Sequence, residues 1–384
     1  MLKLLLLCDY NREPERRLLR GVVKYANECG GWEFISINPA LRNSPDMAME
    51  IITHAKENEV DAIIGNWPGI IADEARKLNI PVILRKFSNY PHDFPLLSCN
   101  NKEIGDIAAN YFTERHYKSF AFFGLDNVDW STERLEGFKD RVVLQGTFSH
   151  ILVESIDSYD PKVEQWLVDL PKPVALYACN DQCAQYITEA CRRARIRIPE
   201  EIAVMGTDDD EFLCNITYPG ITSIKLDFDK QGYELAQKID LMAGTSCIKP
   251  YRIPLEPVEI VERGSTLRYK INDPYVRTIV DRMEKHFTED INITDLIKDI
   301  PLSRRSIELR FKEDMAPYSM LKFLNMLRIR QFANILRNSD IPVSQAAELA
   351  GFFDPYKVFR LFRKHYGCSP LEYRKKQTTM SLRT

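Results

Sequence analysis

Asn180 directly follows the apolar run Val174–Cys179, and Asp208 stands two residues after the run Ile202–Gly206. Ligands of open α/β sheets bind just beyond the carboxyl ends of the strands. A carboxamide there donates and accepts, and a carboxylate accepts from two adjacent hydroxyls, so the two suit a polyhydroxylated ligand such as a sugar. The plainer reading is that both residues only cap the helices that follow them. Asp9 and Tyr10, after the first apolar run, and Trp67, after Asp61–Gly65, occupy comparable places. Trp67 or Trp130 could stack on the apolar face of a sugar ring, or belong to the core.

A different chemistry sits near the other end. In Pro355–Lys364, Val358, Leu361 and Phe362 share one helical face, which leaves Tyr356, Lys357, Arg360 and Arg363 or Lys364 outward. In Arg304–Asp314, Ile307 and Phe311 face inward, and Arg304, Arg305 and Glu308 do not. Arginines on exposed helix faces can pair bidentately with guanine, and lysines with phosphates.

The elements that must position these residues are legible as patterns. Leu2–Cys8, Trp32–Asn38, Asp61–Gly65, Pro81–Arg85, Ser119–Leu125, Ile151–Glu154, Val174–Cys179 and Ile202–Gly206 read as buried parallel strands. Between them lie helical stretches such as Glu13–Glu28, Ile104–Arg115, Thr132–Leu144 and Asp181–Arg195. The alternation predicts a doubly wound α/β architecture in two lobes. Periodicity stops over Arg263–Asp273, the expected linker, and everything after it reads as helices.

In that all-α part, Ser344–Ala350 is a short helix, Gly351 a left-handed end, and Asp354-Pro355 the cap and first residue of the next helix. The same grammar appears earlier, with Thr294 capping Asp295–Asp299, Pro301-Leu302 turning, and Ser303 capping Arg304–Asp314. Ser319–Arg337 connects the two as one helix of about 28 Å, near the roughly 34 Å between successive major-groove faces. The pattern predicts two helix-turn-helix units on a rod.

The 384 residues are enough for two or three domains, and 45% hydrophobic content excludes a disordered chain. A net charge of −3 would argue against nucleic acid. That average hides a split: Ile271–Thr384 carries 20 Lys and Arg against 14 Asp and Glu, and the rest carries 32 against 41. The nine cysteines form no C-x-x-C pair, and Cys179, Cys183 and Cys191 have no histidine at metal-ligand spacing, so buried reduced thiols are expected. The seven-residue run Leu2–Cys8 is too short for a signal peptide, and no run approaches the roughly 20 residues of a membrane span.

Ala346–Lys376, with Ala350-Gly351-Phe352, Asp354-Pro355, Phe362-Arg363-Lys364, Gly367, Ser369-Pro370 and Tyr373-Arg374, resembles the AraC family of transcription regulators. Pro301, Leu309 and Ala316 depart from that family's pattern in the first unit. Leu2–Gly264, through Asn180-Asp181-Gln182, Gly206-Thr207-Asp208-Asp209 and Tyr218-Pro219-Gly220-Ile221-Thr222, resembles the LacI ligand-binding domain, itself similar to periplasmic sugar-binding proteins. That resemblance implies effector contacts at Asn180, Asp208 and Arg134, and at Asn100, where the family usually has aspartate. The order of the two parts, with Trp130-x-Thr132-Glu133-Arg134 and Ser303-Arg304-x-x-Ile307-Glu308, resembles the bacterial xylose-operon activator group over essentially the whole chain.

The expectation is a two-lobed periplasmic-binding-protein-like sensor over residues 1–264, a linker over 265–273 and an AraC-type double helix-turn-helix domain over 274–384. Asp9, Trp67, Asn100, Trp130, Arg134, Asn180 and Asp208 are the candidate effector contacts. Arg304, Arg305, Glu308, Tyr356, Lys357, Arg360 and Lys364 are the candidate DNA contacts, with Lys375 and Lys376 on phosphates. The expected partners are a double-stranded operator, a small sugar with xylose first, a second copy in a homodimer, and RNA polymerase for an activator. No cofactor, metal or membrane is expected, and the compartment is the cytoplasm. The rivals are a sugar-metabolising enzyme with a helical appendage and an exported sugar-binding protein. Against the enzyme, His54, His92, His116, His150, His286 and His365 are dispersed, and there is no P-loop or G-x-G-x-x-G.

Overall fold

Leu4 to Leu7 are buried at four consecutive positions, as in a parallel strand covered on both faces. The computed structural model describes residues 1–37, 47–67, 70, 72–85, 94–242, 251–267, 271, 273–315 and 318–375. The chain forms two compact units, Met1–Arg268 and Tyr269–Thr384.

The strands of the first unit are β1 (Leu2–Leu7), β2 (Trp32–Ser36), β3 (Ala62–Gly65), β4 (Val82–Arg85), β5 (Leu96–Cys99), β6 (Ser119–Leu125), β7 (Thr147–Val153), β8 (Val174–Ala178), β9 (Ile202–Asp208), β10 (Thr222–Leu226), β11 (Arg252–Leu255) and β12 (Pro257–Val261). Its helices are α1 (Glu13–Cys29), α2 (Met47–Glu57), α3 (Ala72–Arg76), α4 (Asn101–Glu114), α5 (Asp129–Val142), α6 (Pro161–Asp169), α7 (Asp181–Arg193), α8 (Glu211–Ile216) and α9 (Phe228–Met242). They build two six-stranded sheets, ordered β11-β5-β4-β3-β1-β2 and β12-β10-β9-β8-β6-β7. The pairing of β10 with β12 is antiparallel and the other described pairings are parallel. The chain therefore crosses between the sheets three times, after β5, β10 and β11.

Each lobe is locked by one helix pair in backbone contact. A Cβ on Gly21 of α1 would strike the Asp229 carbonyl oxygen of α9, and one on Gly232 of α9 would strike that of Leu18. In the other lobe, Gly105 of α4 meets the Arg134 carbonyl oxygen of α5, and Gly137 of α5 meets that of Lys102. Since α4 follows β5 of one sheet and α9 follows β10 of the other, both pairs fasten a crossing segment to the lobe that receives it.

The expected strand Ile151–Glu154 begins earlier, at Thr147. Four strands were not anticipated: β5 and β11 have four residues each, β10 sits inside a stretch noted only for its turn residues, and β12 is an edge with exposed Glu259. Short or half-exposed strands carry too little apolar periodicity to be recognised. Ser265 and Thr266, placed in the linker by the sequence, are buried in the first unit at 0% and 3% exposure. Turn-forming residue types at the end of a strand do not distinguish a linker from a buried polar anchor.

The second unit contains α10 (Pro274–His286), α11 (Ile293–Ile297), α12 (Arg304–Asp314), α13 (Met320–Asn338), α14 (Val343–Leu349) and α15 (Pro355–Tyr366). The connecting helix α13 divides its apolar residues between two cores. Met320, Phe323 and Leu324 pack with Ile307 and Phe311, and Ile329, Phe332 and Leu336 pack with Ala346, Val358 and Phe362. Ser303 caps α12 by accepting from the Ser306 N–H at 3.2 Å, as its position predicts. The cap of α11 is Asn292, in a reciprocal box with Asp295, and not Thr294. Gly351 has φ +85°, and a Cβ there would also collide with the Phe287 carbonyl oxygen, so glycine is required twice over.

Candidate functional site

The carboxyl ends of the strands open into a cleft of about 610 Å³ walled by both lobes. Asp9, Asn66 and Asn180 come from just beyond β1, β3 and β8, and Arg85, Cys99 and Asp208 are the last residues of β4, β5 and β9. Helix α5 adds Trp130, Glu133 and Arg134, and α9 adds Gln231. Five of the seven expected effector residues, Asp9, Trp130, Arg134, Asn180 and Asp208, thus share one cavity.

The other two do not line it. Trp67 is fully buried in a cluster with Leu5, Leu7 and Ile63, so it is core. Asn100 caps α4 by accepting from the Glu103 N–H at 3.3 Å and faces a neighbouring hollow with Lys102 and Arg252. Its neighbour Asn101 enters the cleft and accepts from Arg134 Nε at 3.2 Å. Tyr10 is outside the cleft lining.

The capping alternative has opposite outcomes at the two strand ends. Asn180 does cap α7, accepting from the Cys183 N–H at 2.9 Å, while also lining the cleft. Asp208 caps nothing: the cap of α8 is Asp210, which accepts from the Leu213 N–H at 3.0 Å. Asp208 instead holds φ at +108°, in a region that L side chains rarely enter, and lies 3.7 Å from the Arg134 guanidinium.

The polar wall is buried and cross-braced. Arg134 donates to the Cys179 carbonyl at 2.5 Å, and its guanidinium carbon lies 5.1 Å from the centre of the Trp130 ring. Burial pushes the Asp208 carboxyl above its ordinary value, with Arg134, Arg85 and Arg17 holding it back. Burial and then the Asp208 charge push Asp181 well above its ordinary value. Arg85 pairs with Glu15, and burial pulls its pKa down. From the opposite lobe, Arg17 of α1 donates to the Asp208 carbonyl at 3.1 Å and to the Leu226 carbonyl at 2.9 Å. Arg12, Asn66, Arg85, Asn101, Glu133 and Gln231 were not among the expected contacts. Asn66 and Arg85 occupy the same strand-end positions that singled out Asp9, and that signal could have found them.

In the second unit, Arg304, Arg305 and Glu308 are exposed on α12, and Arg304 pairs with Glu308 at 2.9 Å. Arg360, Arg363 and Lys364 are exposed on α15, and Lys375 is exposed beyond it. The side chains of Tyr356 and Lys357, and the whole of Lys376, lie outside the described residues.

The described cysteines are reduced thiols, and Cys8, Cys179, Cys183, Cys191 and Cys214 among them are buried. Among the described residues no helix is long and apolar enough to cross a membrane.

Residues 109–266 match the family profile of a periplasmic binding protein-like domain, and residues 296–376 that of a helix-turn-helix domain. A xylose operon regulatory protein of Haemophilus influenzae is 23% identical, over 97% of this chain and 98% of its own. That of Escherichia coli (strain K12) is 21% identical, over 97% and 96%. The fold is also that of solved structures. A xylose-binding transcription activator, xylR, matches with a TM-score of 0.71 at 20% identity, covering 97% of each chain. A transcriptional regulator CelR–cellobiose complex matches 69% of this chain and 84% of its own, with a TM-score of 0.56 at 18% identity.

Proposed function

We infer that this chain, a periplasmic-binding-protein-like domain joined to an AraC-type helix-turn-helix domain, is a sugar-sensing DNA-binding transcription regulator and not an enzyme. The observation that carries the sensing half is the cleft, where Arg134 and Asp208 of one lobe face Asp9 and Arg85 of the other across three chain crossings. Asp208 accepts two adjacent sugar hydroxyls, Arg134 and the Asn180 amide donate, and Trp130 takes the apolar face of the ring. The sugar is an aldose, with D-xylose the first choice, as in the names of the full-length relatives.

Contacts from both walls favour the closed form only by the difference in affinity between closed and open forms. Closure re-orients the reading units of a cytoplasmic homodimer so that two half-sites are engaged and RNA polymerase is activated. Arg304, Arg305, Arg360 and Lys364 contact DNA, joined by Tyr356 and Lys357, with Glu308 holding Arg304 in place. Lys375 and Lys376 add phosphate contacts.

Thermal melting of the full chain with a panel of aldoses tests this. The effector at 100 times its Kd adds about 2.7 kcal/mol of stability and changes affinity for operator DNA. A panel in which no aldose raises the melting temperature overturns the sugar assignment.

A further inference from the structure

Asp208 is followed by a second residue at positive φ, Asp209 at +54°. The turn sends Asp208 into the cleft and Asp209 away from it: Asp209 is 1% exposed and does not line the cavity. Asp209 instead meets Arg263, whose Nη2 donates to Oδ1 at 2.8 Å. Its other carboxylate oxygen, Oδ2, is buried without a hydrogen-bond partner among the described residues. The Asp209 N–H donates to Ser223 Oγ at 3.0 Å, and Ser223 in turn donates to Asp181 at 2.6 Å.

Arg263 stands five residues before the end of the first unit. Nε donates to Asn215 Oδ1 at 3.1 Å and Nη1 to the Ile221 carbonyl at 2.9 Å. Its backbone N–H and carbonyl are both bonded to the Thr222 hydroxyl, at 2.8 and 3.0 Å. The next anchors continue the same clamp. Ser265 Oγ donates to the Val204 carbonyl and accepts from the Thr222 N–H, and the Thr266 hydroxyl lies 2.8 Å from that of Tyr111. A single guanidinium therefore spans the turn bearing Asp208 and the segment through which the chain leaves the unit.

We propose that Arg263, through its ion pair with Asp209, is the positioning residue that carries effector occupancy at Asp208 to the exit segment before Arg268. A buried ion pair returns little net stability once both charges are desolvated, so what this one supplies is a fixed geometry. Asp208 and Asp209 share one peptide unit, whose carbonyl accepts from Arg17 at 3.1 Å, so a sugar that shifts the backbone at Asp208 turns Asp209 as well. The Arg263 guanidinium follows only by shifting its bonds to Asn215 and Ile221, next to the Thr222 contacts that hold its own backbone. Packed side chains joined by an ion pair and hydrogen bonds are one physical means by which two sites bias the same equilibrium.

The inference rests on the sugar-sensing reading, and its test separates the two. The full-length chain and its Arg263→Met, Asp209→Asn and Arg263→Lys variants are compared with D-xylose, or with the aldose that shifts wild-type melting most. The DNA is a duplex selected by the wild-type chain from a random-sequence pool. Wild type is expected to show a ratio of DNA affinities with and without sugar of about 5- to 150-fold. Arg263→Met and Asp209→Asn should keep sugar affinity by calorimetry within about threefold, yet bring that ratio close to one; Arg263→Lys should recover much of it. Variants that keep the wild-type ratio, or lose it only in proportion to lost sugar affinity or lost melting temperature, overturn the inference. A wild-type ratio of one overturns the sugar-sensing reading beneath it.

Discussion

The sensor unit buries Arg17, Arg134, Asp181, Asp209 and Asp229: Arg17 pairs with Asp229, the two arginines reach carbonyls at strand ends, and Asp181 and Asp209 are held by Ser223 and Arg263. Among the described residues of the reader unit one charged side chain is buried, Arg328, which donates to the Phe287, Glu289 and Ile291 carbonyls. Arg304, Arg305, Arg360, Arg363, Lys364 and Lys375 of that unit are exposed. The contrast follows from the two ligands. A small neutral sugar is told from its isomers mainly by the placing of its hydroxyls, and reading that placing requires fixed polar groups with water excluded. A DNA duplex brings its own dense charge, so exposed cations on rigid helices are sufficient, and their effect is paid back in counterion release.

Three variants break or sharpen that contrast. Asp208→Ala removes the acceptor from a desolvated wall and leaves Arg134 without its facing carboxylate. Sugar affinity should fall about a hundredfold or more in calorimetry, while DNA affinity without sugar stays at the wild-type level. Unchanged sugar affinity would show that the cleft is misassigned. Replacing Arg304 and Arg305 together by alanine should weaken operator binding by about tenfold to a hundredfold and flatten its salt dependence, with sugar affinity untouched. A salt slope equal to wild type would remove α12 from the DNA surface. The smallest effect is expected at Asn292→Ala, where loss of the capping box costs about 1 kcal/mol. It should appear in melting of the reader unit and leave sugar-induced stabilisation of the sensor in place.

The parts of the fold legible from sequence were those with a local cause. Helix α12 has the predicted bounds because Ser303 caps it, and the end of α14 is set by Gly351. Strands β5, β11 and β12 were invisible because their place is decided by neighbours that arrive from elsewhere in the chain. In the cleft, position at a strand end identified Asp9, Asn180 and Asp208, but the sequence could not say which way each side chain turns. Asn66 enters the cleft and Trp67, one residue on, enters the core, since successive side chains of an extended chain point to opposite faces. Asn100 and Asn101 also part, one as the cap and the other as the first residue of α4. Polar anchors such as half-buried Arg263 and buried Ser265 have no periodic signature, and they appear only when their partners are in place.

The glycine-to-glycine helix crossings at Gly21 and Gly232 and at Gly105 and Gly137 also have a genetic meaning. Every amino-acid change reachable by a single nucleotide from a glycine codon adds at least a Cβ, and at these four positions that atom lands on a carbonyl of the facing helix. A library of random mutants screened for response to a new sugar loses such clones through collapse of a lobe, whatever their cleft would have recognised. Diversity directed at the strand ends, with these four codons held constant, samples the recognition surface without that attrition.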